Sequence, residues 1–328
     1  MKLAIISDTH FGDPAGTLVK PGKAKGTFAI GDKYPAFLKA AGTNNDYLVM
    51  AGDVLDFSIA PYDEAFAAAK VFFNQIKADN VAKEIIYLPG NHDADLWHTV
   101  EYQTNVINPI SNGELPRPFR LSVPAVIDCR EAKPSLVLKG VTVKRGRGPR
   151  YAGLFLDNLA DGGIPFNFAY PNLFIAANNE TVLVTHGHYL EPYWAMAGEW
   201  VVKIAQEDLQ IGGSLDLREM VGLNFPLSQL ACSGIGQAGV LTPLVRQVQR
   251  DAKDGRVDRI SKYLDRAGYE LDRAAKFPWY KAYFEWLSDA AIFALKKFVL
   301  DAIKNVRATR FNQEFIYKRE VQDRFARF

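Results

Sequence analysis

Five histidines occur in the 328-residue chain: His10, His92, His98, His186 and His188. Four of them stand beside Asp, Asn or Gly where short apolar runs end. Imidazole nitrogen, carboxylate and carboxamide oxygen together suit Mn, Fe, Zn or Ni better than a hard calcium site. Asp8-Thr9-His10 follows the run Leu3-Ala4-Ile5-Ile6. Residues two apart on an extended segment project to the same side, so both can reach one ion. Gly52-Asp53-Val54-Leu55-Asp56 places a carboxylate at a glycine turn, where it can bridge two cations. Gly90-Asn91-His92-Asp93 sets a carboxamide beside an imidazole after a run that ends in Pro-Gly, and His186-Gly187-His188 repeats the two-apart spacing. Taken singly, Asp8-x-His10 reads as a capped turn with a surface histidine, and Asp53 as a turn or N-cap aspartate. Their order and their company point to a metal site instead. His98, in a helical pattern beside Trp97, reads as a packing or surface residue.

The elements that must carry these residues alternate. Lys2–Ser7, Tyr47–Ala51 and Glu84–Leu88 are short apolar runs with strand character. Between the last two, Pro61–Asp79 carries Phe66, Val71, Phe73 and Ile76 at helical spacing. Strand, helix, strand in this order predicts an α/β fold with crossovers. In open α/β sheets ligands gather beyond the carboxyl ends of the strands, where these blocks lie. From about 105 to 179 the chain is rich in Pro, Gly and Asn. Its alternating segments Phe119–Ile127 and Leu136–Val143 read as strands of a second sheet or of an insertion. Thr181–Thr185 predicts one more strand, running into His186. After His188 the pattern is helical: Ile260–Leu271, Trp279–Val306 and Phe311–Phe328 carry apolar residues at three- and four-residue steps. This gives a core at 1–188 and a large C-terminal helical cap or accessory region at 189–328.

Bulk composition narrows the function. A formal net charge of +2 supplies no global field for nucleic acid or an anionic membrane, so any preference for anions must be local. The two cysteines, Cys129 and Cys232, form neither a zinc spacing nor a disulfide framework and read as reduced thiols. The first apolar run is shorter than the roughly 7–15 residues of a signal-peptide core. A cytoplasmic protein is the expectation. Met220–Val245 holds no charged residue but carries Asn224, Pro226, Gln229, Gln237, Pro243 and four glycines. It is too polar and too interrupted for a spanning helix and reads as a buried or interfacial helical region.

In this order the blocks resemble the calcineurin-like metallophosphoesterase family, whose pattern runs D-x-H, G-D-x-x-D, G-N-H-D/E, a further H, and G-H-x-H. The resemblance covers roughly the first 190 residues. It implies a β-sandwich flanked by helices, with two divalent metal ions. By the resemblance, Asp8 and His10 hold the first ion, Asp53 bridges both, and Asn91 and His186 hold the second. His92 contacts the phosphoryl group and protonates the leaving oxygen, while Asp56 and Asp93 orient the ligands. Only His186 and His188 remain for the last three histidine places. One reading makes them the lone-His block, with the final pair absent. The other makes them the final pair, with His188 a ligand of the first metal.

The implied activity is hydrolysis of a phosphomonoester or phosphodiester by a dinuclear site with a bridging hydroxide. The substrate would be a phosphorylated small molecule or a lipid headgroup. Arg145 and Arg147, in the basic loop Lys139–Arg150, are candidate phosphate contacts. Two alternatives stand beside this reading. One is a pyrophosphatase similar to the bacterial enzymes that cleave UDP-2,3-diacylglucosamine, working peripherally at a membrane surface with the aromatic helix Trp279–Phe298 over its substrate. The other is a non-catalytic scaffold with a degraded metal site.

Overall fold

The computed structural model describes residues 1–131, 134–142 and 163–190, with scattered positions between 221 and 269 and between 319 and 326. Two compact units are present, Met1–Thr242 with Asp323–Phe328, and Pro243–Gln322. The strands and the candidate site lie in the first. Arg145, Arg147 and the aromatic helix expected at Trp279–Phe298 fall outside the described residues.

The first strand, β1 (Leu3–Ile6), is followed by a hairpin of β2 (Val19–Pro21) and β3 (Phe28–Ile30), then by helix α1 (Tyr34–Ala41) and β4 (Asn45–Ala51). Helix α2 (Tyr62–Ala78) leads to β5 (Ala82–Leu88), and α3 (Ala94–Glu101) runs through a π-helical turn, Tyr102–Ile107, into α4 (Asn108–Ser111). The remaining strands are β6 (Ala125–Asp128), β7 (Ser135–Lys139), β8 (Val141–Thr142), β9 (Phe166–Phe168), β10 (Asn172–Ala177) and β11 (Glu180–Thr185). One sheet has the order β1-β4-β5-β9-β8 and another β11-β10-β6-β7. The middle stretch, expected to be a second sheet or an insertion, supplies three strands of the second sheet and two of the first.

Strands β1, β4, β5 and β9 run parallel. Ile6 pairs with Met50 and Met50 with Tyr87, so β1, β4 and β5 end together. That register delivers the loops bearing Asp8, Asp53 and Asn91 to one edge. Side chains alternate across a strand. Val49, Ala51, Ile86 and Leu88 therefore face the second sheet and pack with Ala125, Ile127, Leu136, Leu173 and Ile175. Each Val, Leu or Ile fully buried among them contributes about 1.5–3 kcal/mol. The fold is the α/β sandwich with flanking helices that the blocks implied.

Helix α2 has Asp63 and Glu64 in its first turn and Lys77 in its last, which complements the helix dipole. Its apolar face buries Phe72 and Phe73, and Phe11 meets both rings at 4.9 and 6.4 Å. Phe11 directly follows His10, so this contact anchors the first ligand loop to the helix.

Candidate metal centre

The loops after β1 and β4 are laced together by main-chain bonds. Asp8 N–H donates to Gly52 O at 3.0 Å, His10 N–H to Asp53 O at 2.9 Å and Phe11 N–H to Val54 O at 2.7 Å. Within this lacing Asp8, His10 and Asp53 all have positive φ, at 54°, 45° and 51°. Non-glycine residues adopt such angles uncommonly, at about 1–3 kcal/mol each, and the surroundings must hold them there. Three residues with ligand side chains thus sit on strained backbone that turns them toward one point.

The point is Asp53, buried at 4% exposure. Its Oδ2 lies 3.3 Å from His186 Nε2, 3.8 Å from His10 Nε2 and 3.9 Å from His92 Nε2. His186 Nε2 is also 3.0 Å from Asn91 Oδ1, and His10 Nε2 is 3.9 Å from Asp8 Oδ1. Two groups could hold a cation: His10, Asp53 and His92, and Asp8, Asp53 and His186. Within each group one ligand atom per residue lies within 4.8 Å of the others. Asp53 belongs to both. The structure therefore gathers Asp8, His10, Asp53, Asn91, His92 and His186 from four strand ends, with His186 arriving from the second sheet.

Two glycines make room for that arrival. A Cβ on Gly52, whose φ is +90°, would stand 2.4 Å from His186 Cγ. A Cβ on Gly90 would stand 2.2 Å from Asp53 Oδ1 and 2.9 Å from His186 Cδ2. The glycines of G-D and G-N-H are there as much for the incoming imidazole as for their own turns.

Asp56 and Asp93 stand behind the cluster. Asp56 accepts from His10 Nδ1 at 2.8 Å through Oδ2 and from His92 Nδ1 at 3.0 Å through Oδ1. Ser58 Oγ donates to Asp56 Oδ1 at 2.6 Å and lies 2.8 Å from His92 Nδ1. One carboxylate thus orients both rings and turns both Nε2 atoms toward Asp53, the usual way a carboxylate fixes an imidazole for a metal. Asp93 is fully buried and accepts from Tyr87 Oη, Gly90 N, Val54 N and Leu55 N, which ties the β4 and β5 loops together. Ser58 and Tyr87 were not legible as site residues; Ser58 lies two positions after Asp56 and was the only local signal.

The charges follow from this arrangement. Burial pulls the His92 and His186 pKa values down, but Asp53 outweighs it, joined by Asp56 at His92, and raises them to about 10 and about 9. His10 is also raised: the hydrogen bond to Asp56 and the charge of Asp53 overcome burial. Burial pushes the Asp53 and Asp56 carboxyls up, yet the facing histidines hold both well below the usual carboxylate range. Burial and the neighbouring Asp53 push Asp93 the other way, up, against its hydrogen bonds. The Asp53 and Asp56 carboxylates thus favour positive charge at this point, which imidazole protons or a divalent cation can supply. The nitrogen and oxygen donors, aimed by Asp56, fit such a cation.

His188 does not share the convergence. It is fully buried, and neither ring nitrogen has a hydrogen-bond partner among the described residues. Burial drives its pKa down to about 3. His98 stacks on Phe225 at 4.5 Å and meets Phe119 edge-on, as a packing residue would. Both cysteines are free, and among the described residues no helix is long and apolar enough to cross a membrane.

Residues 1–211 match the calcineurin-like phosphoesterase family, well over half of the chain. No curated protein and no solved structure matched. The matched span includes every strand of both sheets and all six residues that converge around Asp53. With the sandwich, the register and the shared carboxylate in place, the chain belongs to the calcineurin-like phosphoesterase family.

Proposed function

We propose that the chain hydrolyses a phosphate ester at a two-cation centre built around Asp53. The observation that carries this is the single carboxylate oxygen, Asp53 Oδ2, facing three imidazole Nε2 atoms at 3.3–3.9 Å. Asp8 and His10 with Asp53 would hold one ion, and Asn91 and His186 with Asp53 the other. Divalent ions held there supply Lewis acidity and a water acidified toward neutral pH.

The remaining chemistry belongs to the chain. Asp56 and Ser58 hold His92 by Nδ1, so its Nε2 faces the cluster. From there it can donate to a phosphoryl oxygen and return a proton to the leaving group. The buried Asp93 keeps the β4 and β5 loops at fixed separation, which sets where phosphate sits relative to His92. Asp8 and His10 are the more open part of the cluster, with side chains 33% and 28% exposed, and mark the side from which substrate arrives. A phosphorylated small molecule is the substrate class this supports.

Manganese titration of the purified protein, paired with hydrolysis of bis-p-nitrophenyl phosphate and p-nitrophenyl phosphate, tests the reading. Binding of two ions and manganese-dependent turnover of at least one ester are expected. A protein that binds no manganese and cleaves neither ester would leave a scaffold as the better description. Co-sedimentation with liposomes checks the membrane-surface alternative; the protein is expected to stay in the supernatant.

A further inference from the structure

The stretch Met220–Val245 carries no charged residue, yet four of its described polar side chains, Asn224, Cys232, Ser233 and Gln237, bond to segments around the metal centre. Cys232 is fully buried, and its Sγ lies 3.1 Å from the carbonyl oxygens of both Asn91 and His92. Gln237 Nε2 donates to Phe57 O at 2.9 Å and Ala60 O at 3.0 Å, while its Oε1 accepts from Tyr62 N–H at 2.9 Å. Asn224 Nδ2 donates to Tyr189 O at 3.3 Å, just past His186. Ser233 Oγ and Tyr62 Oη both donate to Asp95 Oδ2.

These bonds join into one network. His92 O accepts from Phe57 N–H at 3.0 Å as well as from Cys232. Phe57 O in turn accepts from Gln237. The loop holding Asp56 and Ser58, the loop holding Asn91 and His92 and the turn after His186 therefore all bond to one segment. A carbonyl's direction fixes its peptide plane, and so the direction in which the attached Cα projects its side chain. A thiol is a weak donor, but both carbonyl oxygens within its reach belong to the Asn91-His92 loop, so its S–H is directed to that loop.

We propose that the uncharged segment around Cys232 and Gln237 is a positioning element of the metal centre, holding the loops of Asp56 and of Asn91-His92 in ligating register. The assignment rests on the reading of the cluster as a metal centre. The segment's lack of acidic residues follows: a carboxylate among these buried carbonyls and carboxylates would go unpaired.

Four variants of the full chain test it: Cys232→Ala, Cys232→Ser, Gln237→Ala and Gln237→Glu. Each is read by thermal melting, by the visible absorption of the cobalt(II)-substituted protein, and by kcat and KM for bis-p-nitrophenyl phosphate. Gln237→Glu sets a carboxylate against the carbonyls of Phe57 and Ala60. It should lower kcat by about 10-fold, the scale on which groups behind metal ligands act, and shift the cobalt bands, with KM little changed. Gln237→Ala should do less. Cys232→Ala should shift the bands in the same direction, and Cys232→Ser, which restores a donor, should return them toward wild type. Should Cys232→Ala fail to fold, the Gln237 pair decides alone. Variants that melt earlier but keep wild-type cobalt spectra and kcat would reduce the segment to core packing and overturn the proposal. A wild-type chain that takes up no cobalt would remove the metal-centre reading and the positioning role together.

Discussion

Three of the five histidines and the other two are opposite answers to the same burial. All five rings are at least partly withdrawn from water. His10, His92 and His186 meet Asp53 or Asp56 and are raised above the ordinary value, two of them to about 10 and about 9. Neither His98 nor His188 hydrogen-bonds to a carboxylate among the described residues, and burial outweighs the carboxylates farther off and drives both down, His188 to about 3. Withdrawal from water disfavours the charged imidazole everywhere. A carboxylate delivered by another loop reverses the sign. The histidines of the candidate centre are therefore marked by the carboxylate that the sheet register brings to them, rather than by their depth.

Asp53→Asn should break the contrast most completely. It leaves three imidazoles without the shared charge. Manganese binding and ester hydrolysis should fall by more than the about 10–100-fold typical of groups behind the ligands. Isothermal titration and steady-state rates check it, and a variant with full activity would remove Asp53 from its bridging role. Asp56→Asn should come next. It keeps the ligands but loosens the rings of His10 and His92, and about 10–100-fold in metal affinity or rate is the expected loss. Gly52→Ala attacks the same site through space alone. Its Cβ would press on His186 Cγ and sit at φ +90°. A destabilisation of about 1–3 kcal/mol, measured by denaturant unfolding, should accompany weaker metal binding.

A milder effect comes from pH on the metal-free protein. His92 and His186 have folded values near 10 and 9, above the ordinary 6.5. Their stabilising contribution is fully present below about pH 6.5 and is lost as pH rises through 9 to 10. The melting temperature of the metal-free protein should therefore fall across that window. Metal affinity should rise as pH passes through 9, because an ion bound at His186 displaces its proton. A flat melting profile from pH 7 to 10 would contradict the charge pairing. The smallest effect should come from His98→Phe. The ring would keep its stack on Phe225 and lose a buried nitrogen without a partner. Stability should hold or rise by about 1 kcal/mol, with kcat unchanged.

The strand ends and the ligand types were readable because they depend on local spacing. Asp8 and His10 are two residues apart, Asp53 follows its glycine, and Asn91 and His92 are neighbours. Helix α2 showed in the spacing of its phenylalanines. The second sheet was only half readable: β10 (Asn172–Ala177) is a short apolar run without alternation, and its partner β6 lies more than forty residues upstream. One feature escaped entirely: Gly52 and Gly90 make space for a histidine more than ninety residues away. The orienting role of Asp56 was implied by the resemblance, but not that it holds rings from two different loops. The polar residues of Met220–Val245 could be read as buried, but nothing local said which carbonyls they would meet.

Chain-local chemistry was thus enough to name the kind of centre, its metal-binding residue types and the family to which the blocks belong. Which imidazoles are aimed, and by what, came from the parallel register that ends β1, β4 and β5 together and from the turn that brings His186 across from the second sheet. His186 and His188 make the point within three residues. They are the same residue type in one short turn, and spacing treats them alike. Asp53 and Asn91 lie beside the first, whereas the second is buried with no hydrogen-bond partner among the described residues. Spacing constrains direction along a strand end, whereas the distance between two strand ends is a property of packing.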